Sequence, residues 1–430
     1  MLRRVSFTVF GIAALLALSF AAGFNEREAA AGDWKKLWTA VQMMPDRLRM
    51  LSEAPEGEYS QVPVLETYWG VLTELTNQYY GAKLDEKKLT YSAIRGMLAG
   101  LNDQFTRFLD PDEYRRMREE NEGNFVGIGA HLDANKNKQI YIKEPLPDSP
   151  AIKAGLKSGD VIVKVGDKPI VGMLIEDVVK IIRGAENTKV KLTIQRSAVK
   201  KLLVFTIVRK VVQYQIVQYR LQDKDAKIGY VRLWQFNEHS DQQFDEALAK
   251  LEKQGMHALI FDLRANPGGL LPAAVDIGSR FVENGPVVII QERGGRKNPI
   301  NVDEAKHNHK RLPMVVLVDK HSASASEIVA GAIRDSKTGT LVGTTTFGKG
   351  VVQTIVPLRD GSAVSVTTAK WFTPSGSEIN KVGVKPDVVI ESPEGGFDPT
   401  DPKKDPQLKK AIEILRGQLK PVSQTANLSH

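Results

Sequence analysis

The sequence predicts a multidomain α/β protein with a helical N-terminal region, a β-rich unit with two helices, and an α/β core built on a mixed sheet. From Trp34 to about Arg118, apolar residues recur at three- and four-residue steps. Short strand patterns separated by glycine turns follow from Gly123 to Lys210, and strands alternate with helices from Ile228 onward. Such alternation is typical of a sheet with parallel strands. A chain of 430 residues has room for two or three domains.

The composition excludes several classes of protein. Hydrophobic residues make up 42% of the chain and charged residues 26%, as in ordinary globular proteins. The net charge of +8 would suit a nucleic-acid partner, but the sequence has no long basic run and no nucleic-acid motif. We therefore predict a mildly basic surface and no nucleic-acid partner. The absence of cysteine excludes disulfides, a thiol nucleophile, a thiolate zinc site and a lipidated N-terminal cysteine.

The first 31 residues have the pattern of a secretory signal. Met1–Arg4 is a short basic segment, and an apolar run from Val5 to Ala22 follows it. Cleavage near Ala22 or at Ala29–Ala31 would fit this pattern. The run is also nearly long enough to span a bilayer, so an uncleaved membrane anchor is the alternative. Either interpretation predicts a periplasmic or otherwise extracytoplasmic protein.

The stretch from Pro313 to Gln353 carries the strongest indication of chemistry. Met314–Val318 has the length of a buried strand, and Ser322-Ala323-Ser324-Ala325-Ser326-Glu327 leads from it into a helical pattern. The unpaired N–H groups and the dipole at a helix start can stabilise an oxyanion beside Ser324. Further on, Lys349 stands between two glycines, and Gln353 would share its face of the chain if a strand begins at Val351.

Each of these residues also has an ordinary interpretation. A serine before a helix is usually an N-cap, and a single lysine is usually a solvated surface charge. Their combination, with Lys349 placed 25 residues after Ser324 and Gln353 four residues further on, resembles the carboxyl-terminal processing proteases, also called tail-specific proteases. The resemblance implies that Ser324 is the nucleophile, Lys349 the general base and Gln353 the residue that orients the lysine. It also implies a catalytic core of the ClpP/crotonase-like type with a mixed sheet.

A glycine pair supplies a candidate oxyanion hole. Asn266-Pro267-Gly268-Gly269 follows the predicted strand Ala258–Leu263, at the sheet edge where ligands of α/β proteins bind. The resemblance assigns one of these glycine N–H groups to the oxyanion hole together with that of Ala325. We choose Gly268, with Gly269 as the close alternative. The glycines could equally serve the dihedral angles of the turn, and both roles can hold together.

The β-rich unit also resembles a known module. The order of its strands and helices, with Gly159-Asp160-Val161-Ile162 at its centre, resembles a PDZ domain. PDZ domains bind a peptide C-terminus as an added strand and hold its carboxylate with backbone N–H groups. The resemblance places Gly127, Ile128 and Gly129 in that loop, although a simple tight turn is the alternative. It also suggests that Arg183 couples peptide binding to catalysis, against the alternative of a surface arginine at a helix end.

The resemblance extends over about residues 65 to 390. Its N-terminal part, Leu98 to Tyr114, contains Gln104-Phe105-Thr106-Arg107-Phe108 in place of the commoner proline-tyrosine-serine version. We expect this departure to leave the catalytic assignment untouched. The predicted division is a signal or anchor at 1–31, a helical dimerisation or cap region at 32–122, a PDZ domain at 123–210, a catalytic core at 211–392, and a C-terminal linker, short helix and tail at 393–430.

The predicted function is that of a serine endopeptidase that uses a Ser-Lys dyad, forms an acyl-enzyme and needs no metal or cofactor. Its expected partners are proteins with free, apolar C-termini, a second copy of the chain in a homodimer, and an adaptor or activator protein. One alternative is a catalytically silent PDZ adaptor, although such a scaffold should have lost Ser324 or Lys349. Another is a histidine-based hydrolase, but His321 is the only histidine close to Ser324 in sequence, and the seven histidines form no recognisable triad or metal spacing.

Overall fold

A computed structural model describes residues 64–197, 199–307, 311–392 and 401–419. The predicted signal segment and residues 32–63 of the predicted helical region lie outside the described residues. The chain divides into two compact units at Glu86, and the first of them contains helix α1 (Val64–Gln78). None of the helices in the described part of the chain combines the length and apolar character needed to cross a bilayer.

The second unit begins with a short helical segment. Its elements are α2 (Glu86–Ala99), β1 (Arg107–Leu109) and α3 (Pro111–Glu122). Helix α3 starts with a capping box, because the Asp110 carboxylate accepts the N–H of Glu113 and the Glu113 carboxylate accepts the N–H of Asp110. Pro111 occupies the first helical position, where its missing N–H costs nothing. Gly123 ends the helix in the left-handed conformation.

A β-rich module follows. Its elements are β2 (Asn124–Gly127), β3 (Ala130–Ala134), β4 (Ile140–Pro145), α4 (Pro150–Lys153), β5 (Val161–Val165), β6 (Lys168–Pro169), α5 (Ile175–Ile182), β7 (Lys189–Gln195), β8 (Leu203–Val208) and β9 (Lys210–Gln213). The sheet order is β3-β4-β5-β7-β8, with β6 on β5, so β3 is an edge strand. Ile142, Leu192 and Ile194 are fully buried in its core. Strands β2 and β9 pair with each other at the two ends of the module.

The largest part of the fold is an α/β core. Its elements are β10 (Val217–Asp223), β11 (Ile228–Leu233), α6 (Ser240–Lys253), β12 (Ala258–Asp262), α7 (Leu271–Ser279), β13 (Pro286–Glu292), β14 (Lys297–Asn301), a 3-10 turn (Glu304–Lys306), β15 (Met314–Val318), α8 (Ala325–Asp335), β16 (Thr340–Gly343), β17 (Val351–Pro357), β18 (Ala363–Phe372), β19 (Val388–Val389) and α9 (Pro406–Leu419). One sheet has the order β10-β11-β12-β15-β16-β19. Its strands are parallel from β11 to β19, while β10 is antiparallel, which confirms the predicted mixed sheet. All residues of β12 and β15 are buried, as expected for central strands covered on both faces.

A second, antiparallel sheet joins the N-terminal segment, which consists of α2, β1 and α3, to the core. Its order is β1-β18-β13-β14, and β17 also pairs with β18. Arg107 and Leu109 of β1 lie opposite Ser365 and Ala363 of β18. The N-terminal segment therefore supplies a strand to the same sheet that carries Gln353 on β17.

Helix α9 packs on the core, although the sequence led us to group it with a C-terminal linker and tail. Leu408 and Leu415 belong to a buried cluster with strand residues such as Leu317. The guanidinium of Arg264, which follows β12, also contacts the carboxylate of Asp405 just before the helix, and both side chains are fully buried. The C-terminal helix thus completes one face of the sheet.

Candidate active site

Ser324 lies at a sharp turn between β15 and α8. It is the N-cap of α8 and has φ 55° and ψ −114°, a conformation that residues other than glycine rarely adopt. The buried serines on either side anchor the turn: Ser322 Oγ donates to the carbonyl of Leu263 at 2.8 Å, and Ser326 Oγ donates to the carbonyl of Asn266 at 3.0 Å. The turn that presents Ser324 is therefore fixed to the loop after β12.

A buried carboxylate joins the Ser324 turn to the Lys349 loop. Glu327 is fully buried, and its Oε2 accepts the backbone N–H of Ser324 at 2.8 Å and that of Lys349 at 2.9 Å. Its Oε1 accepts the Thr346 hydroxyl at 2.5 Å and the Gly348 N–H at 2.7 Å. One oxygen atom thus holds the backbones of both predicted dyad residues side by side. Our sequence reasoning missed this role, although the Ser-x-x-Glu spacing was visible as a capping pattern.

Lys349 is half-buried in the loop before β17. Its carbonyl accepts the indole N–H of Trp371 at 2.8 Å, and its ammonium lies 5.1 Å from the centroid of the Phe105 ring. Burial, and then the positive charge of Arg107, lower the pKa of Lys349, while the Glu327 carboxylate acts in the opposite direction. The net effect is a lysine that loses its proton more readily than a solvated one.

Gln353 lies on β17, opposite Thr367 of β18. Its side-chain nitrogen is buried and has no hydrogen-bond partner among the described residues, and the same is true of the Thr367 hydroxyl. Within this part of the chain, no hydrogen bond joins Gln353 to Lys349, and none joins the Ser324 hydroxyl to the Lys349 ammonium.

The glycine pair lies directly against the Ser324 turn. A Cβ on Gly268 would approach Ser324 Cβ to 2.8 Å and Ala325 N to 2.9 Å, so only glycine fits there, and its φ of 100° has the same requirement. The N–H of Gly268 already donates to Asn266 Oδ1 at 2.9 Å. The N–H groups of Gly269 and Ala325 have no acceptor among the described residues. The N–H of Ala325, next to Ser324, and that of Gly269, next to Gly268, are therefore available as donors.

A second carboxylate, that of Asp319, joins the loop after β12 to the turn after β15. Its Oδ1 accepts the N–H of Ala265 at 3.0 Å, the N–H of His321 at 3.0 Å and the hydroxyl of Ser322 at 3.2 Å. His321 itself is exposed, and no ring contact is found for it within the described ranges. In the same ranges, no group of three or more His, Asp or Glu side chains is arranged to hold a metal ion.

The predicted carboxylate loop lies between β2 and the edge strand β3. Gly127 is the last residue of β2, Ile128 is buried in the module core, and Gly129 has φ 72°. The carbonyls of Ile128 and Gly129 accept the N–H groups of Ala151 and Leu146, at 2.7 and 3.0 Å. For the N–H groups of Ile128 and Gly129, in contrast, no acceptor is found in the described part of the chain. These donors stand at the start of an unpaired strand edge.

Arg183 ends helix α5 of the module and reaches beyond it. Its guanidinium donates to Glu119 of α3 at 2.5 Å and to the Tyr214 hydroxyl at 3.2 Å, and it lies 5.1 Å from the centroid of the Phe125 ring. Tyr214 is in turn tied to the core, because its carbonyl accepts the side chain of Gln243 of α6 at 2.8 Å. Arg183 thus connects the module with helix α3 and with the segment that follows β9.

A strained serine at a helix start and a lysine of lowered pKa thus lie on two loops that share the Glu327 carboxylate. Two family profiles match the chain: Peptidase family S41 over residues 227–390 and PDZ domain over residues 141–196. The carboxy-terminal-processing protease of Bartonella bacilliformis is 35% identical over 389 residues, which are 82% of this chain and 88% of the relative. The chain belongs to peptidase family S41 and is a serine protease of its carboxy-terminal-processing group, which confirms the resemblance found in the sequence.

A second relative and a solved structure also carry the names of proteases. A probable CtpA-like serine protease of Staphylococcus haemolyticus is 39% identical over 321 residues, which are 74% of this chain and 63% of that protein. The chain thus spans less than two thirds of the staphylococcal relative. Among solved structures, the photosystem II D1 C-terminal processing protease is 36% identical, with a TM-score of 0.46 over 78% of this chain and 89% of that chain.

Proposed function

We propose that this chain is an endopeptidase in which Ser324 attacks the peptide carbonyl and Lys349 accepts its proton. The observation that carries the proposal is the shared bond to Glu327 Oε2, because it holds the nucleophile turn and the base loop together. Ser324 forms a bond to the carbonyl carbon, Lys349 returns the proton to the leaving amine, and water then hydrolyses the acyl-enzyme. Gln353 supplies a buried donor that can orient the reacting groups.

The protonation state of Lys349 decides whether it can act. Only the neutral amine accepts a proton, and an ordinary lysine with a pKa near ~10.4 is almost fully charged at neutral pH. Partial burial and Arg107 lower this pKa. Activity should therefore rise as the pH increases through the pKa of Lys349.

The oxyanion is proposed to bind the N–H of Ala325 and one N–H of the glycine pair. Gly268 would have to release Asn266 Oδ1 before it could donate, whereas Gly269 is unoccupied. We therefore now favour Gly269 over our first choice, Gly268. The loss of one such donor typically lowers the rate by about a hundred- to a thousand-fold.

The module is proposed to bind the free C-terminus of a protein substrate. An extended tail can add to the edge of β3, with its carboxylate on the N–H groups of Ile128 and Gly129. Apolar, uncharged tails fit this mode best. The pairing of β2 with β9 supports a hinge near Gly123 and Lys210, through which the module gates access to Ser324, with Arg183 as the coupling residue.

Further proposals concern the setting of the enzyme. We propose an extracytoplasmic location, with segment 1–31 as a cleaved signal or a membrane anchor, because its sequence pattern fits both. A homodimer formed through the N-terminal region and dependence on an activator protein remain predictions of the sequence.

The test compares the chain from residue 33 onward with Ser324→Ala and Lys349→Ala. The substrate is an unfolded protein with an apolar C-terminus, cleavage is followed by mass spectrometry, and the same substrate with an amidated C-terminus is the matched control. Activity that disappears in both variants and falls with the amidated tail supports the proposal. A wild-type protein that binds the tail but does not cut it would favour the silent adaptor.

A further inference from the structure

Phe105, from the segment that contains α2, β1 and α3, lies beside Lys349, the proposed general base. Phe105 lies two residues before β1, and its own backbone is fixed by hydrogen bonds: its N–H donates to Asp103 Oδ1 at 3.0 Å, and its carbonyl accepts the Ser365 hydroxyl at 3.3 Å. The next residue, Thr106, accepts the N–H of Thr367 at 3.0 Å and donates to Asp103 Oδ2 at 2.7 Å. The position of Phe105 is therefore built into the antiparallel sheet.

The ring of Phe105 faces the Lys349 ammonium at 5.1 Å from its centroid. This distance is within the range at which the ring quadrupole attracts a cation. Phe105 is partly buried, and the strand residue opposite Gln353 is the same Thr367 whose N–H anchors Thr106. Phe105 and Gln353 are thus linked through Thr367, which lies opposite Gln353 and bonds the neighbour of Phe105.

Few charged groups face Lys349 from the surrounding elements. Arg107 of β1 is exposed and opposes the ammonium, while Glu327 of α8 favours it. Asp103 is occupied by the hydrogen bonds of the loop before β1. Lys370 of β18 lies opposite the first residue of β17 and is itself ion-paired. The Phe105 ring is a neighbour in direct contact with the Lys349 ammonium, and it can hold the lysine side chain in place alongside the role proposed for Gln353.

We propose that Phe105 is a positioning residue for the general base. Its ring holds the Lys349 side chain in place and tunes the proton affinity of the amine. The inference rests on the proposed catalytic role of Lys349. The ring attracts the protonated ammonium and so favours the charged form, while its apolar bulk keeps water from the amine. Arg107, two residues further on, acts against the charged form. The segment that departs from the commoner family sequence therefore contributes to the site.

Substitutions of Phe105 and of Arg107 should shift the pH profile of activity in opposite directions. Phe105→Leu keeps apolar bulk but removes the aromatic face, so the acid limb of kcat/KM should move to lower pH by about half a unit to one unit. The plateau rate should also fall, because leucine cannot orient the amine, with little change in KM. Phe105→Tyr should restore the wild-type profile. Arg107→Gln should move the acid limb to higher pH, since a repelling charge is removed.

The matched control is Phe108→Leu. Phe108 is buried on β1, three residues after Phe105, but its ring packs against Tyr91, at 4.7 Å between centroids, instead of facing the lysine. This variant should lower thermal stability without moving the acid limb. An identical shift in Phe108→Leu and Phe105→Leu would show that only general packing is affected and would overturn the inference.

The measurements are peptide hydrolysis and fluorophosphonate labelling of Ser324 across pH, with melting temperatures as a check on folding. If Lys349→Ala remained active, the proposed function itself would fail. If Lys349→Ala is inactive and Phe105→Leu has the wild-type profile, only the role of Phe105 fails. A second measurement does not require the leucine variant to fold: in the wild-type protein, the ε-methylene protons of Lys349, assigned with Lys349→Arg, should show an upfield ring-current shift. A normal chemical shift would refute the contact.

Discussion

The substitution Glu327→Gln tests whether the buried carboxylate organises the active site. In the wild type, its two oxygens accept four donors, from Ser324, Lys349, Thr346 and Gly348. A glutamine has one oxygen and one NH₂ group in the same space. The best orientation keeps the oxygen on Ser324 and Lys349 and lets the NH₂ group donate to the Thr346 hydroxyl, so the N–H of Gly348 loses its partner.

The expected losses of stability and of catalytic rate follow from the number of hydrogen bonds that remain. One buried N–H without an acceptor costs about 1–3 kcal/mol of unfolding free energy, and the remaining bonds weaken because the acceptor is neutral. Each kcal/mol corresponds to roughly 2–4 °C in melting temperature for a domain of 150–250 residues. A displacement of about 1 Å between the reacting groups can lower the rate about a hundredfold. Removal of a negative charge should also lower the pKa of Lys349, so the acid limb of the activity should move to lower pH.

The assay combines thermal melting with the pH dependence of kcat/KM on a peptide substrate. Glu246→Gln is the matched control, because Glu246 is exposed on α6 and bonds only a neighbouring glutamine side chain. A Glu327→Gln variant with unchanged melting temperature and unchanged kcat/KM would refute the organising role. A variant that is less stable but fully active would limit Glu327 to folding.

Three other predictions concern the periphery of the site. Asp405→Asn should lower unfolding free energy by about 1–3 kcal/mol, since it weakens a buried bond to Arg264, which keeps Asp262 as its second carboxylate partner, and a chemical denaturation curve like that of the wild type would contradict this. Gly129→Ala would bring a Cβ to 2.4 Å from Ser149 Cβ, so binding of a fluorescent C-terminal peptide should weaken at least tenfold, whereas the amidated peptide should show no difference. Arg183→Lys replaces the planar fork that reaches both a carboxylate and a hydroxyl with a single ammonium group, so both contacts should weaken and cleavage should depend less on the substrate tail; full dependence would exclude the coupling role.

Parts of this fold could be predicted from local sequence patterns. Met314–Val318 and Thr340–Gly343 are strands with the predicted bounds, because a short apolar run between turn residues has few other structures available. The class of enzyme followed from the resemblance of the segment with Ser324, Lys349 and Gln353 to the carboxyl-terminal processing proteases. The structural consequences of Glu327 and Asp319 could not be predicted, because their partners are mostly backbone N–H groups of other loops, and such donors are present in any sequence.

The N-terminal strand shows a different limit. Phe105 and Lys349 are far apart in sequence, and their contact depends on the pairing of β1 with β18. Neither the helical periodicity of the N-terminal region nor the three-residue strand itself indicates which sheet will receive it. We therefore treated the unusual segment around Phe105 as irrelevant to the catalytic assignment, whereas the structure places its aromatic ring next to the lysine.

The alternating serines of the central run each have a separate physical reason. Ser322 and Ser326 are small enough to be fully buried, and their hydroxyls donate hydrogen bonds to carbonyls of the loop after β12. These bonds hold the turn in which Ser324 adopts a positive φ. Alanine at either outer position would therefore remove a buried bond and relax the backbone of Ser324 without touching its hydroxyl. The run is thus one structural unit, in which the outer residues fix the strain that presents the central one.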